Sequence, residues 1–239
     1  MRDETSPSGA PIYRHTEQDR QAMPPAQEGV HREAIERHLE KHIGPVATVF
    51  HELVSDLVHL DVLYIAPSEK RPFQTLVTSG SSDLPMEVPS GMEAFRRAEY
   101  LVNLPADWSL DRDNLEDETH YWPIRWLKLV GRLAHEYQTW LGWGHTVPNG
   151  DPATPIADTG FIGVTVLPPY WLGSDFFQLP TVTGDVITFY NLVPLYPEEM
   201  DLKLRKGIEA IEKKDRDGTL FQVLDVNRPN LGKRRFLPW

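Results

Sequence analysis

Residues 58–79, VHLDVLYIAPSEKRPFQTLVTS, decide the fold class. Val58–Ile65 is rich in Val, Leu, Tyr and Ile and predicts a strand, and Phe73–Ser79 predicts a second, closed by a Ser-Gly-Ser-Ser turn. Upstream, Ile35, Leu39 and Ile43 recur at four-residue spacing, so residues 30–43 predict a helix stopped by Gly44-Pro45. Downstream, Tyr100–Leu104 predicts a short strand before Pro105, and a charged loop over 109–119 leads to a long helix over 122–141. There Trp126, Leu129, Val130, Leu133, Tyr137, Trp140 and Leu141 form one apolar stripe, with Arg125, Lys128, Arg132 and Glu136 opposite. Pro123 suits the first turn of this helix.

Beyond a loop over 144–160, strands are predicted at 161–167, around Phe176 and Phe177, at 186–190 and at 220–226. A helix over 198–211 is broken at Gly207. Strands in clusters between separate helices predict an α+β fold, a mixed β-sheet with helices packed on it. The spacing is too irregular for a doubly wound series. Residues 1–29 are polar, carry four prolines and predict a disordered tail, leaving 30–239 as one domain.

Composition narrows the function. Among 239 residues there is no cysteine, which excludes disulfide scaffolds, thiol nucleophiles and cysteine-ligated metals. The 24 Lys and Arg against 35 Asp and Glu give a net charge of −11, a poor match for nucleic acid and a good one for a basic protein. The N-terminal residues contain no apolar signal segment, and no run of about 18 apolar residues could span a bilayer. A cytoplasmic protein is the expectation.

Motifs for chemistry are incomplete. His51-Glu52 would begin a zinc-protease helix, but Ser55 stands where the second His belongs. A looser set of His51, His59 and Asp61 reads as a hydrogen-bonded cluster before it reads as a metal site. His38 and His42 share a helix face, with His31 further back and no accompanying carboxylate spacing. Ser79–Asp83 is no nucleophile elbow, Gly142-Trp143-Gly144 lacks the third glycine of a dinucleotide fingerprint, and Gly232-Lys233 lacks the upstream glycine of a phosphate loop. Glu198-Glu199 and Asp215/Asp217 are read as helix-surface charges. No cofactor and no catalytic residue is assigned.

Three loops carry charged or aromatic residues suited to recognition: 79–86 (SGSSDLPM), 143–150 (WGHTVPNG) and 227–239 (NRPNLGKRRFLPW). Turn chemistry alone also accounts for their Gly, Asn and Pro. In the first two, Asp83 offers charge, Met86 an adaptable apolar contact and His145 a group titrating near neutrality. The bland role of Asp83 is to cap the turn that follows the serines.

Several blocks of this sequence resemble the suppressor of fused family. They are His51–Asp56 leading into His59–Val62, Arg71–Gly80, Ser82–Met86, Arg97–Leu101 with Leu104-Pro105, Gly144–Thr146, Ile187–Tyr190 and Pro197–Met200. The resemblance implies a single suppressor-of-fused-like domain that binds a protein and catalyses nothing. In animal members, which sequester a zinc-finger transcription factor, the loop resembling Ser82-Asp83-Leu84 lies near the peptide site, and Pro85 here stands in place of an aromatic residue. Short bacterial members are regarded as immunity proteins that neutralise toxins. Partner binding is therefore expected through Ser82, Asp83, Leu84, Met86 and His145, with a basic toxin domain as partner and neither nucleic acid nor membrane involved. The alternatives are a metal-dependent hydrolase using His51, His59 and Asp61, with His145 as a further candidate, or an adaptor for a transcription factor.

Overall fold

The computed structural model describes residues 4–16, 29–51, 59–111, 113–215 and 218–233. Along the chain run β1 (Glu4–Thr5), β2 (Pro11–Ile12), α1 (Arg32–His42), β3 (Val46–Phe50), β4 (Asp61–Ile65) and β5 (Phe73–Ser79). There follow β6 (Arg97–Pro105), α2 (Glu118–Glu136), β7 (Thr146–Pro148), β8 (Gly163–Leu167), α3 (Ser174–Phe177) and β9 (Gln178–Pro180). β10 (Val186–Leu195), α4 (Pro197–Lys206) and α5 (Glu209–Glu212) complete the set.

Eight strands make one sheet in the order β3-β4-β5-β6-β10-β8-β7, with β9 pairing beside β10. The β6–β10 pair is parallel, setting Tyr190 next to Tyr100, and every other pair is antiparallel, so the sheet is mixed. Successive residues of a strand point to opposite faces. Val62, Leu76, Tyr100 and Val102 therefore meet Trp122, Trp126, Leu127 and Val130 of α2. Leu63, Ile65, Val77 and Leu101 meet Ile35 and Leu39 of α1, together with Phe176 and Phe189, on the other side. Covered on both faces, β5 is buried at all seven positions, which is why it reads as a continuous apolar and Thr run. The α+β architecture expected from the sequence is the one observed.

Several local expectations are corrected. The long helix stops at Glu136; Gln138 takes a φ of 48°, and the chain turns before Trp140 and Leu141. Its buried face is also rotated: Leu127 and Ala134 are buried, Leu133 is only half-buried and Leu129 is exposed. Gly131 lies on that face because a Cβ there would meet Leu60 Cδ2 at 2.7 Å. The expected strand at Phe176 and Phe177 is a turn of helix before β9, with Phe176 stacked on His38. Residues 220–226 form no strand. The side-chain amides of Asn103 and Asn191 hold this segment by donating to Gln222 O and Phe221 O, and Leu224 N–H donates to Asn103 O.

β3 and β7 went unforeseen; each is short and lies at an edge of the sheet. Within the expected disordered tail, residues 4–16 instead hold the β1–β2 hairpin. It is tied down by Ser8 N–H to Leu204 O, by Arg14 to Asp151, and by the stacking of His15 on Tyr137. Residues 17–28 lie outside the described part.

Candidate functional site

The loop after β5 is organised around a carboxylate that the sequence reading passed over. Glu99, near the start of β6, is fully buried. Its carboxylate accepts from Thr78 Oγ1 at 2.5 Å, Gly80 N at 3.1 Å, Ser82 N at 2.9 Å and Ser82 Oγ at 2.6 Å. Burial pushes its pKa up, against the pull of those donors. Gly80 is required at the turn: its φ is 124°, and a Cβ would lie 2.1 Å from His59 O. Ser82 is thus held inward by Glu99 and offers no side-chain surface to a partner.

Asp83 accepts from Gly29 N at 2.8 Å and His31 N at 3.3 Å. It closes the start of α1, a long-range version of the capping considered for the local turn. Burial raises its pKa. Arg97 braces the loop by donating to Ser82 O and Asp83 O. Met86 is buried in the main core, beneath Tyr100, and its sulfur accepts from Leu141 N at 3.4 Å. The expectation that Met86 supplies an exposed apolar contact is corrected. Leu84 is half-buried and Pro85 is exposed, so the rim of the loop remains accessible there.

Met86 also joins the two candidate loops. Leu141 N–H to Met86 Sδ and Glu87 N–H to Thr139 O lay the first loop along the stretch that leads into Trp143. His145 packs edge-on against Trp140 at 4.2 Å, its Nδ1 3.2 Å from Trp140 O, with Tyr13 of the N-terminal segment alongside. Burial, aided by Lys203, pushes its pKa down to about 4, so the expected titration near neutrality is corrected. Trp143 is the large apolar residue of this loop that faces out, 46% exposed. Its neighbours are pressed inward, since a Cβ on Gly142 would strike the Trp140 ring and one on Gly144 would strike Ile208. Trp143 Nε1 and the hydroxyl of Tyr170, itself 57% exposed, both donate to Glu212 Oε1, at 3.2 and 2.6 Å.

Of the titratable clusters considered in the sequence, His51, His59 and Asp61 come together. His51 Nδ1 and His59 Nε2 each lie 3.1 Å from Asp61 Oδ1. His145 is not part of this group. His38 is a core residue in a three-ring cluster with Phe176 and Phe189, with Nε2 on Phe176 O and its pKa lowered by burial.

The sequence profile described as "Suppressor of fused protein (SUFU)" matches residues 56–229. The chain belongs to the suppressor of fused family. Among solved structures it is similar to a suppressor of fused homolog from Neisseria gonorrhoeae, with a TM-score of 0.61 and 16% identity over 84% of this chain and 96% of that one. It is also similar to a chain of a Sufu–Fu complex, with a TM-score of 0.56 and 14% identity over 86% and 93% of the two chains. Suppressor of Fused from Drosophila aligns over 86% of this chain but 52% of its own length, with 13% identity and a TM-score of 0.56. No curated protein matches the sequence.

This suppressor of fused domain carries features that neither the blocks nor the local sequence revealed. Tyr170 and Glu212 were not foreseen, because nothing local marks a tyrosine and a glutamate 42 residues apart as partners. Glu199, read as a helix-surface charge, is instead completely buried against Arg228. A charged residue in an otherwise regular Pro-Glu-Glu-Met helix start was the signal available, and it pointed outward. The third loop is described to residue 233 and docks on α4 through Asn230 to Glu198 and Leu231 to Glu199.

Proposed function

We propose that this chain is a non-enzymatic binding domain that acts in the cytoplasm as an immunity protein, holding and neutralising a toxin domain with a basic surface. The observation that carries this reading is the pair of exposed aromatics, Trp143 and Tyr170, fixed to one carboxylate, Glu212. Exposed Trp and Tyr of restricted geometry are the side chains that dominate protein–protein affinity. A carboxylate between them, on a chain of net charge −11, favours a cationic partner. In the 79–86 loop Asp83 and Leu84 are half-buried and would add to the contact, whereas Ser82 and Met86 are buried. That a similar chain occurs in a complex of Sufu with Fu supports a protein partner. No helix among the described residues is long and apolar enough to cross a membrane, which agrees with an aqueous setting.

The test is to co-express the chain with any toxin domain found encoded beside its gene, followed by titration of the purified pair at rising salt. Protection of the cells and weakening of the complex by salt are expected. Trp143→Ala with Tyr170→Ala should cost about 2 kcal/mol or more of binding at an unchanged melting point. Capture of a DNA-binding regulator in place of a toxin would make the domain an adaptor, and metal-dependent hydrolysis by the purified chain would sink the non-enzymatic reading.

A further inference from the structure

We propose that His51, His59 and Asp61 bind one divalent transition-metal ion of the zinc class, which ties the end of β3 to the start of β4. The three ligand atoms lie within 4.8 Å of one another, the one group of this kind among the described residues. In a tetrahedral site with bonds of about 2.0–2.1 Å, neighbouring donors stand roughly 3.3 Å apart. The two imidazole-to-carboxylate distances here are both 3.1 Å, and the two imidazole nitrogens stand no more than 4.8 Å apart, so small side-chain rotations of the exposed histidines bring all three donors onto one ion. Two imidazoles and a carboxylate are a donor set suited to zinc and its neighbours in a chain that has no thiolate.

The surroundings fit an ion that enters from solvent. The Asp61 side chain is 4% exposed and fixed in place, whereas those of His59 and His51 are 31% and 58% exposed. The outer side of the cluster is therefore open, leaving a coordination position for water. Asp61 is held from behind: Arg32 Nη1 donates to Oδ2 at 3.0 Å, and Arg32 is itself paired with Glu36. A ligating carboxylate oriented by a second hydrogen bond is the arrangement that metal sites use to fix their ligands. His51 follows β3 directly and Asp61 begins β4, so the ion clamps two adjacent strands and favours the folded chain by mass action.

The experiment titrates the metal-stripped full chain with Zn2+, reading stoichiometry by calorimetry and the melting temperature alongside, with Co2+ as a spectroscopic probe. Saturation at one ion per chain, a rise in melting temperature and a cobalt ligand-field band are expected. His51→Ala and His59→Ala should each weaken Zn2+ binding at least about tenfold, the lower bound for losing even an outer-shell partner. Both side chains are accessible enough to be removed without breaking the core, and circular dichroism of the metal-free variants checks this. No saturable uptake by the wild-type chain, or variants that take up zinc as tightly as it does, would overturn the site. None of these readouts depends on a toxin, so they stand apart from the test of partner binding.

Discussion

Glu199 and Arg228 form a bidentate ion pair in the interior, Nη1 to Oε1 and Nη2 to Oε2, both at 2.6 Å. The side chains are 0% and 3% exposed. The guanidinium also donates to Pro194 O and lies about 5 Å from the rings of Phe161, Tyr196 and Phe221. Glu199 accepts in addition from Leu231 N and from Tyr196 N, the latter closing the start of α4. One pair thus fastens the segment after residue 218 to the helix and the last strand of the fold.

Breaking that pair should be costly. Removing one partner leaves an uncompensated buried charge, worth about 3–5 kcal/mol. Arg228→Met and Glu199→Gln are each expected to fall in this range by urea denaturation. Replacing both together should cost less than the two single changes summed, since neither charge is left alone. Additive losses would show that the two side chains act separately.

The rotation of α2 gives a second expectation. Leu127→Ala should cost about 2–5 kcal/mol, because its methyl groups lie between the helix and the sheet. Leu129→Ala, at an exposed position two residues on, should stay within about 0.5 kcal/mol. Equal costs at the two positions would return the helix to the stripe expected from its sequence.

Acid should act through His145. With a folded pKa of about 4 against an ordinary 6.5, the unfolded chain binds the additional proton between those values. Stability therefore rises with pH across this window and is lost as pH falls from about 6.5 towards 4, by at most about 1.4 kcal/mol per unit. Burial lowers His38 and His135 as well, which adds slope of the same sign. His145→Gln should be less stable than wild type at pH 7, having lost the ring contact with Trp140. The gap should narrow or reverse at pH 4.5, where glutamine has no proton to take up. A gap that is the same at both values would place the imidazole in contact with water.

The α+β class, helix α1, strand β5 and the break at Gly207 were legible because each rests on a local pattern. Ile35 and Leu39 repeat at the period of a helix, Phe73–Ser79 is an unbroken strand former, and glycine leaves the helix with a φ of 84°. The first candidate loop was legible as a loop, whereas the second holds β7. The direction of their side chains was not legible: Ser82 and Met86 look like polar and adaptable surface residues until Glu99 and Tyr100 are found as their partners.

By itself, then, the sequence determined the main strands and helices of the chain, its acidity, its freedom from thiol chemistry and its family blocks. These depend on residues close together in the chain or on plain counting. The tertiary structure alone decided which carboxylates are buried, which aromatics face water and which histidines meet. Glu199 finds Arg228 at a separation of 29 residues, Trp143 finds Glu212 at 69, and Gly29 finds Asp83 at 54. The physical reason is desolvation. A charge or an indole is set inside or outside by the neighbours that the folded sheet brings to it, and those neighbours are remote in sequence.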